Sequence, residues 1–109
     1  MTGIVAVSHS PALARAAVDL ALEMGGAHPP AIRIAAGGPD GSTGTDAIAI
    51  AAAIDAVADD GGVLVVTDLG SAILSARLAL ELVTTGARVR LSAAPFVEGL
   101  VAAVVAAAS

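Results

Sequence analysis

His9 stands at the end of the apolar run Ile4-Val5-Ala6-Val7, inside Ser8-His9-Ser10-Pro11. A short continuous apolar run that stops at Ser-His-Ser-Pro and gives way to a long helical stretch puts the imidazole at the carboxyl end of a strand. Open α/β sheets bind ligands and do chemistry at that edge. The chain has two histidines and no cysteine, tyrosine or tryptophan. A side-chain nucleophile acting near neutral pH is therefore His9, His28, a serine or a threonine, and His9 is the best placed of them. A neutral imidazole attacks through one nitrogen, while a carboxylate that accepts a hydrogen bond from the other fixes the tautomer and stabilises positive charge on the ring. Asp68, in Thr67-Asp68-Leu69-Gly70-Ser71, can supply that carboxylate. The alternative is that Asp68 only caps the helix starting near Ser71.

The elements that must position this pair follow from the hydrophobic pattern. Four strand-like runs, Ile4 to Val7, Ala31 to Ala36, Val63 to Thr67 and Arg88 to Ser92, alternate with helical stretches at Pro11–Met24, Asp46–Ala58, Ser71–Val83 and Pro95–Ala108. Ser10 before Pro11, Thr45 before Asp46, Gly70 before Ser71 and Ala94 before Pro95 mark the helix starts. A βαβαβαβα order makes an α/β fold, an open doubly wound and mainly parallel four-stranded sheet with helices on both faces. Ile4-Val5-Ala6-Val7 and Val63-Leu64-Val65-Val66 are apolar throughout, as central strands are. Ile32-Arg33-Ile34 and Arg88-Val89-Arg90-Leu91 alternate basic with apolar residues, as outer strands do. The order is then 2-1-3-4 with right-handed crossovers. Strands 1 and 3 become neighbours about 4.8 Å apart, so Asp68 can reach the His9 ring where the winding reverses.

Around this edge the pattern supplies hydroxyls and helix amino termini, which suit anions and above all phosphate. The candidate phosphate-binding residues are Ser10, Gly38, Thr45, Gly70 and Ser71. The glycine-rich loop Gly37-Gly38-Pro39-Asp40-Gly41-Ser42-Thr43-Gly44 matches no nucleotide-binding pattern, and its plain reading is a flexible connection. No Gly-x-Ser-x-Gly elbow and no His-Glu-x-x-His metal motif is present. His28, in Gly25-Gly26-Ala27-His28-Pro29-Pro30, reads as a solvated turn residue.

At 109 residues, 57% of them apolar and with a mean hydropathy of +0.90, the chain is expected to fold as one domain over 1–109. Its core is aliphatic, since Phe96 is the single aromatic residue. The apolar stretch from Phe96 to Ala108 is too short to span a bilayer and contains Glu98. No basic segment precedes Ile4 as it would in a signal peptide, and the expected location is the cytoplasm. A net charge of −5 with scattered arginines argues against nucleic acid and for a protein partner with a basic face.

Ser8-His9-Ser10, Gly44-Thr45-Asp46, Asp68-Leu69-Gly70-Ser71-Ala72 and Ala93-Ala94-Pro95-Phe96-Val97-Glu98-Gly99 together resemble the phosphotransfer subunits (DhaM) of bacterial dihydroxyacetone kinases. The likeness covers nearly the whole chain. Their fold, shared with mannose-type IIA domains of the sugar phosphotransferase system, is the 2-1-3-4 sheet already reached. The resemblance implies that His9 is transiently phosphorylated by HPr, itself charged from phosphoenolpyruvate through enzyme I. The phosphoryl group would then pass to ADP held on the DhaL subunit, and the ATP formed would act on dihydroxyacetone bound to DhaK. It implies no cofactor, neither nucleotide nor sugar bound by this chain, a separate HPr as donor, and a homodimer. The last helix, apolar around Leu100, Val101, Val104 and Val105, fits burial between sheet and partner, or simply a core helix. Three rivals stay open: a mannose-type IIA component that phosphorylates a transporter IIB, a regulatory module whose phosphorylation is read as a signal, and a binding domain in which His9 is only a strand-end cap.

Overall fold

The computed structural model describes residues 1–108. Four strands alternate with four helices: β1 (Gly3–Ser8), α1 (Pro11–Met24), β2 (Ile32–Ala36), α2 (Ala47–Val57), β3 (Val63–Thr67), α3 (Gly70–Leu80), β4 (Val89–Leu91) and α4 (Phe96–Ala108). The strands form one sheet in the order β2-β1-β3-β4, and every pairing is parallel. The expected 2-1-3-4 α/β sheet is the one observed.

Alternation along β1 divides the core. Ile4 and Ala6 face α1 and α4, where they join Ala14, Ala17, Ala21, Val66, Leu100 and Val104. Val5 and Val7 face α2 and α3, packing with Ile50, Ile54, Ala72, Ala76 and Ala79. All six residues of β1 are buried, as a central strand covered on both faces requires. The outer strands keep arginines in solvent at positions 33 and 90. Because the chain winds one way from β1 to β2 and the other way from β2 onward, right-handed crossovers put α1 on one face and α2 and α3 on the opposite face.

Small residues allow close approach of the layers. A Cβ on Gly3 would lie 2.3 Å from the Val57 carbonyl oxygen, so the end of α2 crosses directly over the start of β1. Gly62 combines a φ of +80° with the Arg88 carbonyl at 2.8 Å from where its Cβ would be, and only glycine takes that turn without strain.

Some boundaries move. α2 begins at Ala47 because Asp46 is its N-cap, accepting from the backbone N–H of Ile48 and Ala49. The third helix, expected to reach Val83, ends at Leu80. There Glu81 and Leu82 donate to the carbonyls of Leu78 and Ala79, an i to i−3 pattern that tightens and closes the last turn. The apolar spacing of Leu82 and Val83 continues past that point without helix. β4 is shorter than the Arg88 to Ser92 run, with Val89–Leu91 paired to Val63–Val65. On α4, Leu100 and Val104 are core, whereas Val105 is 45% exposed.

Candidate active site

Register brings the site together. Val7 pairs with Thr67, and the Asp68 N–H donates to the Val7 carbonyl at 3.1 Å. His9 and Asp68 therefore leave the sheet side by side where β1 and β3 end. On the other side of β1, Ser8 pairs with Ala36, and the Gly37 N–H donates to the Ser8 carbonyl at 3.1 Å. Beyond Ser8 the chain turns into α1, whose N-cap Ser10 accepts from the Leu13 N–H and is followed by Pro11.

His9 Nδ1 and Asp68 Oδ1 are 3.0 Å apart. The Asp68 side chain is 7% exposed and that of His9 19%, so the carboxylate sits beneath the ring and the ring keeps an edge open to solvent. Asp68 receives four hydrogen bonds. Oδ1 accepts from His9 Nδ1 at 3.0 Å and the Leu69 N–H at 2.8 Å; Oδ2 accepts from the His9 N–H at 3.0 Å and Ser8 Oγ at 2.9 Å. Partial burial pushes this carboxyl toward its neutral form, but the donors from His9, Ser8 and Leu69 outweigh it, and its pKa lies below the usual aspartate value. An ionised carboxylate is acceptor only, so Nδ1 carries the proton and Nε2 the lone pair.

Nε2 faces Ser71 Oγ at 2.8 Å. Ser71 lies in the first turn of α3, whose N-cap, Leu69, has no side-chain hydrogen bond to the helix. Asp68 is thus turned toward His9 and makes no cap on α3; its one contact there is the N–H of Leu69 itself. The amino terminus of α3, with Gly70 and Ser71, is left open beside the imidazole nitrogen that carries the lone pair. A helix start of this kind favours negative charge.

The remaining candidates lie further out. The Ser10 hydroxyl is engaged in capping α1. The Gly38 N–H donates to the Ser42 carbonyl inside its own loop at 2.8 Å, although the loop is anchored beside the site by the Gly44 N–H on the His9 carbonyl at 3.3 Å. Thr45 Oγ1 is 2.6 Å from Ser75 Oγ, linking the entry of α2 to α3. His28 is exposed in its turn. Of the seven residues expected at the site, contacts join His9, Asp68 and Ser71 directly. Ser8 belongs with them although its type alone did not mark it. Its signal in the sequence is a hydroxyl at the last position of an otherwise apolar central strand.

Beside Asp68 an open apolar groove of about 430 Å³ is lined by Leu13, Leu69, Pro95, Phe96, Val97 and Glu98. A larger cavity of about 620 Å³ opens at the amino ends of β3 and β4, between Asp59, Asp60, Gly62 and Arg88, far from His9. Among the described residues no helix is long and apolar enough to cross a membrane.

The chain is similar to known proteins in sequence and in fold. The chain is 49% identical, over its whole length, to the Escherichia coli phosphoryl donor subunit DhaM of PEP-dependent dihydroxyacetone kinase, and spans 24% of that protein. It is 47% identical to the same subunit of Pantoea ananatis, again over its whole length and 24% of the relative. A Listeria innocua subunit, the phosphoryl donor DhaM of a PEP-dependent dihydroxyacetone kinase 2, is 38% identical over 96% of this chain and 85% of its own length. A crystal structure of a protein of unknown function superposes with a TM-score of 0.81 at 30% identity, covering 98% of this chain and 83% of the other. The family model described as PTS system fructose IIA component matches residues 3–109, and the chain belongs to that family.

Proposed function

We propose that the chain is a phosphoryl carrier that accepts phosphate on His9 Nε2 from phospho-HPr and passes it to ADP bound on DhaL, for phosphorylation of dihydroxyacetone. The observation that carries this reading is the His9 ring held through Nδ1 by Asp68 at 3.0 Å, with Nε2 turned to Ser71 at the open start of α3. The relatives' role as phosphoryl donor subunits of a dihydroxyacetone kinase favours the same assignment.

In the uptake step the Nε2 lone pair attacks phosphorus in line. A new N–P bond forms, the donor's P–N bond breaks, and that electron pair stays on the donor histidine. His9 keeps its Nδ1 proton, so the phosphorylated ring is cationic and the Asp68 carboxylate offsets its charge. Ser71 Oγ–H, freed from Nε2, turns to a phosphoryl oxygen, and the Gly70 and Ser71 N–H groups meet the remaining charge. In discharge an ADP β-phosphate oxygen attacks the same phosphorus and the electron pair returns to Nε2. Neither step needs a proton moved to or from the ring, so positioning supplies most of the acceleration.

The surroundings favour a protein as each partner. Leu69 is 57% exposed and Leu13 43%, both on the groove beside Asp68. Large apolar side chains in solvent next to a reacting atom suit a docked protein surface. HPr and ADP-loaded DhaL both need Nε2, so their binding is mutually exclusive. A mannose-type IIA role, with a transporter IIB as acceptor, would use the same histidine.

Mixing the phosphorylated protein with ADP alone, ADP plus DhaL, or a transporter IIB domain separates the readings. ATP is expected only with DhaL present, at a rate that falls as salt screens attraction to the −5 chain, given a Debye length of about 8 Å at physiological ionic strength. ATP formed without DhaL, or discharge by the IIB domain as fast as by ADP-loaded DhaL, contradicts the kinase assignment.

A further inference from the structure

Among the described residues Ser8 and Thr67 are the two polar residues buried as a whole, backbone and side chain together, and Ser8 is wholly inaccessible at 0% exposure. Each stands at the end of a central strand. A hydroxyl at that depth is destabilising unless its hydrogen bonds are made, and Ser8 makes them within the site. Its Oγ accepts from the Ser10 N–H at 3.0 Å. Its single proton has two acceptors in reach, Asp68 Oδ2 at 2.9 Å and the Ser10 carbonyl at 3.1 Å. The Ser10 carbonyl already receives the first hydrogen bond of α1, from the Ala14 N–H at 3.1 Å. The charged oxygen is both closer and the stronger acceptor, so the proton belongs to Asp68.

This contact decides how firmly the carboxylate is held. Two of the four donors to Asp68 are main-chain N–H groups and a third is the His9 ring. Ser8 is the remaining donor, and it alone comes from a buried side chain fixed at both ends. Without it Oδ2 keeps only the His9 N–H. The carboxylate then gains freedom to rotate, and Oδ1 loses alignment with Nδ1.

We infer that Ser8 is a positioning residue for phosphoryl transfer: its Oγ–H, donated to Asp68 Oδ2, holds the carboxylate so that His9 keeps its proton on Nδ1 and its lone pair on Nε2. The inference deepens the proposed role of His9 and rests on it for the kinetic part alone. The tautomer can be read without any transfer.

The test uses the full chain with Ser8→Ala, Ser8→Cys, Asp68→Asn and the Ser8→Ala/Asp68→Asn double variant. Ser8→Cys keeps the side chain's size but supplies a weak donor, and it stands in for Ser8→Ala if the alanine variant does not fold. Imidazole ¹⁵N spectra of the unphosphorylated protein are expected to show the Nδ1–H form in the wild type and an Nδ1–H/Nε2–H mixture in both Ser8 variants. Phosphate uptake from phospho-HPr is expected to slow about tenfold on loss of Ser8, the scale of one hydrogen bond to a charged group. In the Asp68→Asn background, removing Ser8 is expected to add little, because the two act in series. Unchanged ¹⁵N patterns in the Ser8 variants, or a double variant whose loss equals the product of the single losses, overturns the inference. A wild type that takes no phosphate would instead refute the carrier reading, and the ¹⁵N comparison would still decide the role of Ser8.

Discussion

Asp68 accepts two hydrogen bonds on each oxygen, and this saturation makes it more than a counter-charge. An amide in its place aims an NH₂ at donors whichever way it is turned: at His9 Nδ1 and Leu69, or at Ser8 and the His9 main chain. Asp68→Asn is therefore expected to slow phosphate uptake about 10²-fold, the scale of losing one preorganised electrostatic contact, less than the about 10⁴-fold loss in a histidine–aspartate pair whose ring must store a proton. Its carboxyl is held below the ordinary aspartate range. Stability from the charged form is complete above the unfolded value of about 3.9 and is lost as pH falls through the lower folded value. Uptake rates and melting curves of the two proteins between pH 3 and 7 check both points: the wild type should lose stability below about pH 4, and Asp68→Asn should lose less. Equal rates would reduce Asp68 to a structural residue. His9 and Asp68 were legible in the sequence because each directly follows an apolar strand, which fixes where the backbone puts them. The contacts of Ser8 and Ser71 were not, because they depend on side-chain rotamers and on how far α3 extends toward β1.

Strands and helices were legible where burial alone shapes the pattern. Ile4 to Val7 and Val63 to Val66 lack polar residues because both faces are covered, and the arginines of β2 and β4 mark the open edges, so even the strand order could be read. The end of α3 could not be. Asp55 on α2 accepts from the N–H groups of Thr84 and Thr85 and from the Thr84 hydroxyl, holding the segment after α3 against a different helix. That contact spans 29 residues and leaves no mark in the local spacing of Leu80, Leu82 and Val83. A similar long-range constraint acts at Gly3, whose neighbour is the Val57 carbonyl. Gly3→Ala forces the end of α2 away from β1 and is expected to destabilise the fold by about 1–3 kcal/mol. Phosphate uptake by the folded fraction should stay at the wild-type rate, since the change lies at the far end of β1. Chemical denaturation with the uptake assay checks this; a stability equal to wild type would mean that the layers are less closely packed than described.

Across the whole molecule the His9–Asp68 pair sits where the sheet reverses its winding, and the neighbouring surface is apolar and open. This geometry suits a carrier. His9 Nε2, the proposed phosphate acceptor, belongs to a ring held from below by Asp68 and lies beside the open start of α3 and not in a closed pocket. The −5 net charge is a property of the whole chain and could be read from composition, whereas the groove of Leu13, Leu69 and Phe96 draws on three elements distant in sequence and could not. The proposed relay requires that His9 carry the phosphate. Wild type and His9→Ala, each incubated with phosphoenolpyruvate, enzyme I and HPr, are compared by intact mass and by the acid lability and base stability of the label. The wild type is expected to gain a single acid-labile, base-stable phosphate and His9→Ala none; a His9→Ala protein that still takes up the label would contradict the account.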